Sequence, residues 1–126
     1  MPDAVRGLET MATFVGAANV DRSRDYLEAL DPEFHRHVVE FVYGEIYSGE
    51  ILDHKTRALC TVAMLAVLEE PLQLSVYLRS ARRQGASEDE IREVLRQAAV
   101  YAGFPRAWNA LAAMRSALAG FAEEEA

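Results

Sequence analysis

Residues 85–110 read GASEDEIREVLRQAAVYAGFPRAWNA, and their punctuation decides the class of the fold. Ser87, followed three residues later by Glu90, is a capping box: each side chain satisfies a backbone N–H at the start of a helix. Ile91, Val94, Leu95 and Ala98 then recur at helical spacing and give that helix one buried face. Gly103 tolerates the positive φ that ends a helix, and Pro105 suits the first turn of a new one. Two aromatic residues, Tyr101 and Trp108, flank the corner, and backbone chemistry does not account for them.

The same punctuation extends in both directions. Asp31 and Pro32 are the N-cap and first residue of a helix whose apolar set is Phe34, Val38, Phe41, Val42 and Ile46. Gly49 closes it. Asp53 is the next N-cap, and HKTRALCTVAMLAVL, residues 54–68, is apolar on almost every face after Arg57. A helix of that kind is buried on all sides, which predicts the central helix of the core. Pro71 opens another helix and Gly85 ends it. Before residue 31 the signals weaken: LETMATFVGAA reads as one helix and DRSRDYLEAL as a short second one. The tail over 121–126 reads as frayed. No strand-like alternation and no Asn-Gly or Asp-Gly hairpin signal is found. The expectation is a single all-α domain over 1–126, a bundle of roughly six helices with short connections.

Composition narrows the function. A chain of 126 residues, 51% of them hydrophobic, can bury a sizeable core without disulfides or metals. Its formal net charge of -7 argues against nucleic acid, whose phosphates need a basic footprint. The single cysteine, Cys60, excludes an internal disulfide, a Cys-X-X-Cys redox pair and a Cys-rich zinc site. No apolar signal core opens the chain, and no apolar run approaches the ~20 residues that span a bilayer. These features predict a cytoplasmic protein that engages neither membrane nor nucleic acid.

Several of these stretches resemble the carboxymuconolactone decarboxylase family. The Leu-Asp-x-Lys-Thr-Arg entry to an apolar helix is present at residues 52–57. The Gly-x-Ser-x-x-Glu-Ile-x-Glu-Val helix begins at Gly85, and Tyr-Ala-Gly-Phe-Pro stands at 101–105. FVYGEIYSGEILD, from Phe41, is similar to the segment before that entry. The resemblance implies an all-α fold of the alkyl hydroperoxidase D-like kind, assembled as a homo-oligomer, a trimer or hexamer. It also implies a small-molecule substrate. The peroxidase branch of that superfamily carries a Cys-X-X-Cys pair and a histidine on the helix after the apolar one. Here the corresponding residues are approximately Glu70, Gln73 and Tyr77.

Candidate site residues follow from the resemblance and from the residues themselves. Tyr77 stands where decarboxylase-like members usually carry histidine; its hydroxyl can donate a hydrogen bond but is a poor base at neutral pH. Otherwise it is a half-buried tyrosine whose hydroxyl reaches water. Glu70 shares a helix face with Tyr77 and is a candidate general base; otherwise Glu69 and Glu70 serve the helix dipole and the cap. His54, at the N-terminus of the apolar helix, is the other candidate for moving a proton. Lys55 and Arg57 oppose the dipole of that helix and call for an anion, either Glu45 or Glu50 or a substrate carboxylate. Arg79 occupies the family's arginine position and could bind a carboxylate; with Arg82 and Arg83 it otherwise stabilises a helix C-terminus. Tyr101 and Trp108 are either core and subunit contacts or substrate contacts beside the corner. Cys60 reads as an inert core thiol. His35 and His37 do not face together, and no metal-ligand spacing is found. No cofactor is called for.

The leading expectation is therefore a decarboxylase-like enzyme, or a related lyase or isomerase, acting on an anionic or enolisable substrate. Its pocket would lie between the apolar helix, the Tyr77 helix and the Tyr101 corner. The alternative is a non-catalytic small-molecule-binding or assembly protein that kept the fold. One outcome is independent of that choice. With a single cysteine the chain cannot run a dithiol cycle, so dithiol-coupled peroxide consumption is expected at the protein-free rate. Robust turnover that disappears in Cys60→Ser would contradict this.

Overall fold

The structure is a computed structural model that describes residues 3–124, and every regular element among them is helical. No helix among the described residues is long and apolar enough to cross a membrane. The chain divides into two compact units, Met1–Asp53 and His54–Ala126.

The first unit opens with α1, Ala4–Val15. Asp3 caps it by accepting a hydrogen bond from the Arg6 backbone N–H at 3.0 Å. Its buried residues, Gly7, Thr10, Met11, Phe14 and Val15, fall at i, i+3, i+4, i+7 and i+8, the stripe of an amphipathic helix. Gly16 ends it at φ 93. A 3-10 turn, Ala17–Asn19, leads into α2, Val20–Leu30, and then α3, Pro32–His37. As read from the sequence, Asp31 caps α3, accepting from the Glu33 N–H at 3.2 Å.

From Val38 to Ile46 the helix widens into a π-helical segment. This changes which side chains are buried. The regular spacing predicts Phe34, Val38, Phe41, Val42 and Ile46 as the inward set, but Phe34, Phe41 and Ile46 are exposed. The inward residues are Val39, Tyr43 and Gly44. In a π-helix the hydrogen bonds run over five residues instead of four, as in Tyr47 N–H to the Val42 carbonyl at 2.7 Å. The wider turn rephases the face, so that residues 39 and 44 align. This face packs on α1. Arg6 Nε donates to the Gly44 carbonyl at 3.0 Å, and the Phe14 and Tyr47 rings meet edge to face at 5.1 Å.

The second unit consists of α4, His54–Leu68; α5, Pro71–Arg83; α6, Glu88–Ala102; α7, Phe104–Leu118; and the short α8, Phe121–Glu124. The capping box is formed: Ser87 Oγ accepts from the Glu90 N–H at 3.0 Å, and Glu90 Oε1 accepts from the Ser87 N–H at 2.9 Å. Gly103 ends α6 at φ 93, and Pro105 lies in the first turn of α7. Tail residues 121–124 form α8, whereas 125 and 126 lie outside the described residues.

The core of this unit joins Ala58, Val62 and Ala66 of α4 to Leu74, Tyr77, Leu78 and Ala81 of α5. Ile91, Leu95 and Ala98 of α6 and Ala107, Ala110, Met114 and Ala117 of α7 complete it. Alanines at the crossings let helix axes approach at the short end of the usual 8–10 Å. One expectation is corrected. The helix over 54–68 is not buried on all sides: Met64 is 63% and Leu68 69% exposed. At about 100° per residue, the stripe of Ala58, Val62 and Ala66 covers only one side of α4. The apolar residues on its other side face outward in the single chain. On α6, Val94 likewise stands at the edge of the buried face.

The first unit depends on two glycines where α1 meets the π-helical segment. A Cβ on Gly7 would fall on the Val39 carbonyl oxygen and 2.8 Å from its carbon; one on Gly44 would meet the Asp3 carbonyl. These obstacles are backbone and cannot turn aside. Gly7→Ala is therefore expected to cost at least the ~1–3 kcal/mol of core overpacking, despite alanine's better helix propensity. Denaturant unfolding of the full chain, read through its tyrosines, checks this; an unchanged midpoint would contradict it.

Candidate functional site

The site is built on the turn between α4 and α5. The Glu70 N–H bonds back to the Leu65 carbonyl at 3.1 Å, and the Glu69 N–H to the Ala66 carbonyl at 3.3 Å. This is the Schellman pattern, whose penultimate residue must take the left-handed conformation. Glycine fills that role at the end of α5. There the Ala86 N–H reaches the Ala81 carbonyl at 2.9 Å, the Gly85 N–H reaches Arg82 at 3.0 Å, and Gly85 has φ 95. At the end of α4 the same position holds Glu69, at φ 54, the only non-glycine residue with positive φ among the described residues.

Magnitudes bear on why a glutamate stands there. The left-handed conformation costs a residue with a Cβ roughly 1–2 kcal/mol. The Glu69 carboxylate receives a hydrogen bond from Asn109 Nδ2 at 3.3 Å and pairs with Arg106 Nε at 3.6 Å. Both charged partners are about half exposed, and such a pair returns only about 0–1 kcal/mol. Stability thus gives no preference for glutamate over glycine at 69.

Glu70 is the N-cap residue of α5, but its side chain makes no capping hydrogen bond. The sequence-based capping role is therefore not the one its carboxylate plays. Instead Glu70 lines a cavity of about 240 Å³ between the end of α4, the start of α5 and α7, at the small end for ligand sites. Glu69, Arg106 and Asn109 supply its other polar groups; Ala66, Leu74 and the α7 alanines supply apolar wall. Arg106 Nη1 also donates to the Ala102 carbonyl at 3.1 Å, which ties the guanidinium to the end of α6. Two carboxylates and one guanidinium thus share a small apolar cavity.

The other sequence-derived candidates lie elsewhere in the unit. Tyr77 is 5% exposed and sits one turn beyond Leu74 on the same face of α5; among the described residues it does not line the cavity. His54 is exposed at the opposite end of α4, about 18 Å along the axis from Ala66 at 1.5 Å per residue. His54 and Glu70 therefore do not act on one group within this unit. Arg57 is also in the first turn of α4, beside Lys55, whose Nζ lies 2.7 Å from Glu90 Oε2. That pair answers the need for an anion near Lys55. The Lys55 hydrogen bond, followed by the Ser87 N–H, holds the Glu90 carboxyl below its ordinary range. Arg79 donates to the Ala117 carbonyl at 3.0 Å, near the end of α7, and lies 5.4 Å from the Phe121 ring centroid. Arg79 thus bonds to the end of α7 and not to the C-terminus of its own helix, where Arg82 and Arg83 stand in the last turn.

Tyr101 lines a second hollow, an open apolar groove of about 640 Å³ between α4 and α6 that includes Cys60, Ala63, Met64 and Val67. Cys60 is therefore half-buried at a groove, not sealed in a core. The single pocket expected between the apolar helix, the Tyr77 helix and the Tyr101 corner is resolved into two hollows, because α5 and Tyr101 meet different sides of α4. Trp108 is 75% exposed. Among the described residues no three His, Cys, Asp or Glu side chains gather as a metal ion would need.

Sequence reading missed Arg106 and Asn109. Their signal was present: Arg106, Asn109, Ala110 and Ala113 fall at i, i+3, i+4 and i+7, one face of α7. The glutamate at a left-handed position left no such signal, because nothing in Leu-Glu-Glu-Pro marks which residue takes positive φ.

The profile of the carboxymuconolactone decarboxylase family matches residues 32–116. The chain is 32% identical over 100 residues to a 4-carboxymuconolactone decarboxylase of Acinetobacter baylyi, covering 79% of this chain and 75% of that protein. It is 34% identical over 74 residues to the nitrosuccinic acid decarboxylase of Metarhizium robertsii, covering 59% and 52%. An uncharacterised protein of Methanocaldococcus jannaschii is 29% identical over 104 residues, covering 82% and 92%.

Proposed function

The chain belongs to the carboxymuconolactone decarboxylase family, and on that premise we propose that it is a decarboxylase of small carboxylic acids working at the α4–α5–α7 cavity. The observation that carries this reading is the meeting of Glu70 and Arg106 in one apolar hollow. Two of the similar proteins bear the names of decarboxylases, which supports decarboxylase-like chemistry at the level of the family.

Loss of CO2 leaves an electron pair on the α-carbon, which a neighbouring carbonyl takes up as an enolate. A guanidinium beside the oxygen that gains charge stabilises the transition state more than the ground state. Arg106 supplies that cation. The Glu70 carboxyl, not engaged in capping, is the group that exchanges a proton with the α-carbon. The apolar wall lowers the local dielectric and strengthens both interactions. Tyr77, buried in the core and outside the cavity lining, takes no part in the chemistry.

Trial substrates are small carboxylic acids with an enolisable carbonyl next to the carbon that carries the carboxylate, monocarboxylates and dicarboxylates alike, with CO2 release as the readout. With any acid that is turned over, Arg106→Gln and Glu70→Gln are each expected to cost ~10²-fold in kcat, and Tyr77→Phe less than about threefold. The reverse pattern would move the chemistry from the cavity to Tyr77.

The active form is a homo-oligomer. Met64, Leu68, Tyr101, Phe104 and Trp108 are all exposed on the second unit, and clustered exposed apolar side chains mark interaction surfaces. Closed cyclic symmetry would cover them. A trimer or hexamer is expected by light scattering at micromolar concentration; a monomer would contradict this.

A further inference from the structure

We infer that Glu69 sets the substrate class of this site, restricting it to acids with a single carboxylate on an apolar body. The inference rests on the cavity being the substrate site. Glu69 stands in a backbone conformation that favours glycine, and its surface ion pair does not offset that cost. Its effect is on the cavity instead. Among the described residues Arg106 is the only cation in the lining, and it faces two carboxylates, Glu69 and Glu70. Its Nε is turned to Glu69 at 3.6 Å and its Nη1 to the Ala102 carbonyl at 3.1 Å. Nη2 and the second N–H of Nη1 are left to take substrate oxygens. The side-on clamp, in which Nε and Nη2 grip one carboxylate, is contested by Glu69, and the charge of the guanidinium is already partly balanced.

One carboxylate can be held in this way. A second has no cation to meet, and it enters a small hollow already bordered by two negative groups. Like charges brought together there repel, which discriminates by exclusion. The remaining wall, Ala66, Pro71, Leu74, Ala110 and Ala113, suits a hydrocarbon body. Glu69 touches Arg106 and not the reacting atoms, so it is a specificity-determining and positioning residue.

The test uses the full chain and two probes of similar size, cyclopentanecarboxylate and succinate, with affinities from NMR titration at low and high salt. Wild type is expected to bind the monocarboxylate at least about tenfold tighter than the dicarboxylate, with the ratio shrinking as salt rises. Glu69→Gln removes the charge and keeps the shape; Glu69→Gly also suits the left-handed backbone, so failure to fold is not a concern. Both are expected to bring the ratio to within about threefold, mainly by tightening succinate, while Glu69→Gly melts no lower than wild type. Equal binding of the two probes by wild type, or a ratio indifferent to both substitutions, would overturn the inference. Arg106→Gln separates the two levels. If it leaves monocarboxylate binding intact, the cavity is not the anion site and the functional reading falls with the inference. If it abolishes binding while the Glu69 variants change nothing, only the role of Glu69 falls.

Discussion

The second unit turns on the reversal between α4 and α5. A chain leaving α4 must reverse within two residues to start α5 at Pro71. The two backbone hydrogen bonds at Glu69 and Glu70 achieve this only if residue 69 accepts a left-handed conformation. The geometry that brings α5 back against α4 also points two consecutive carboxylates toward α7. Arg106 and Asn109 are met there because Gly103 and Pro105 restart the chain in a new direction one turn earlier. Cavity, turn and corner are therefore linked features of one arrangement, and a change in the turn would be felt at the site.

Small side chains are the second constraint. The buried stripe of α4 is Ala58, Val62 and Ala66, and α7 contributes Ala107, Ala110 and Ala117. Helices packed through alanine come close but bury little apolar area per residue, at roughly 25 cal/mol per Å². Larger apolar residues such as Met64, Leu68 and Trp108 are exposed instead. A single chain thus leaves these larger apolar side chains uncovered.

The backbone plan was largely legible in the sequence. Asp31-Pro32, Pro71, the Ser87–Glu90 box and the Gly103–Pro105 corner each produced the boundary expected of them, because capping and φ restriction act over three or four residues. The inward face of residues 38–46 was not legible. Hydrophobic spacing assumes an α-helical turn, and a π-helical turn changes the phase with no local residue to announce it. The site was legible only in part. Glu70 stood among the candidates beside Tyr77, which does not share its cavity; Arg106, which does, lies 36 positions further on, on another helix, and no local pattern reports such a meeting.

The sequence by itself determined the all-α class, most helix limits, the family and the exclusion of dithiol chemistry, since each depends on residue type and near-neighbour spacing. Only the tertiary structure decided which candidates share a cavity. It separated His54 from Glu70 by the length of α4, buried Tyr77 outside the cavity lining and tied Arg79 to the end of α7. It also put Glu69 in a glycine-like conformation beside Arg106. The physical reason is that helix formation is governed by interactions over three or four residues, whereas a site is a convergence of helix ends, fixed by how separate helices cross and pack.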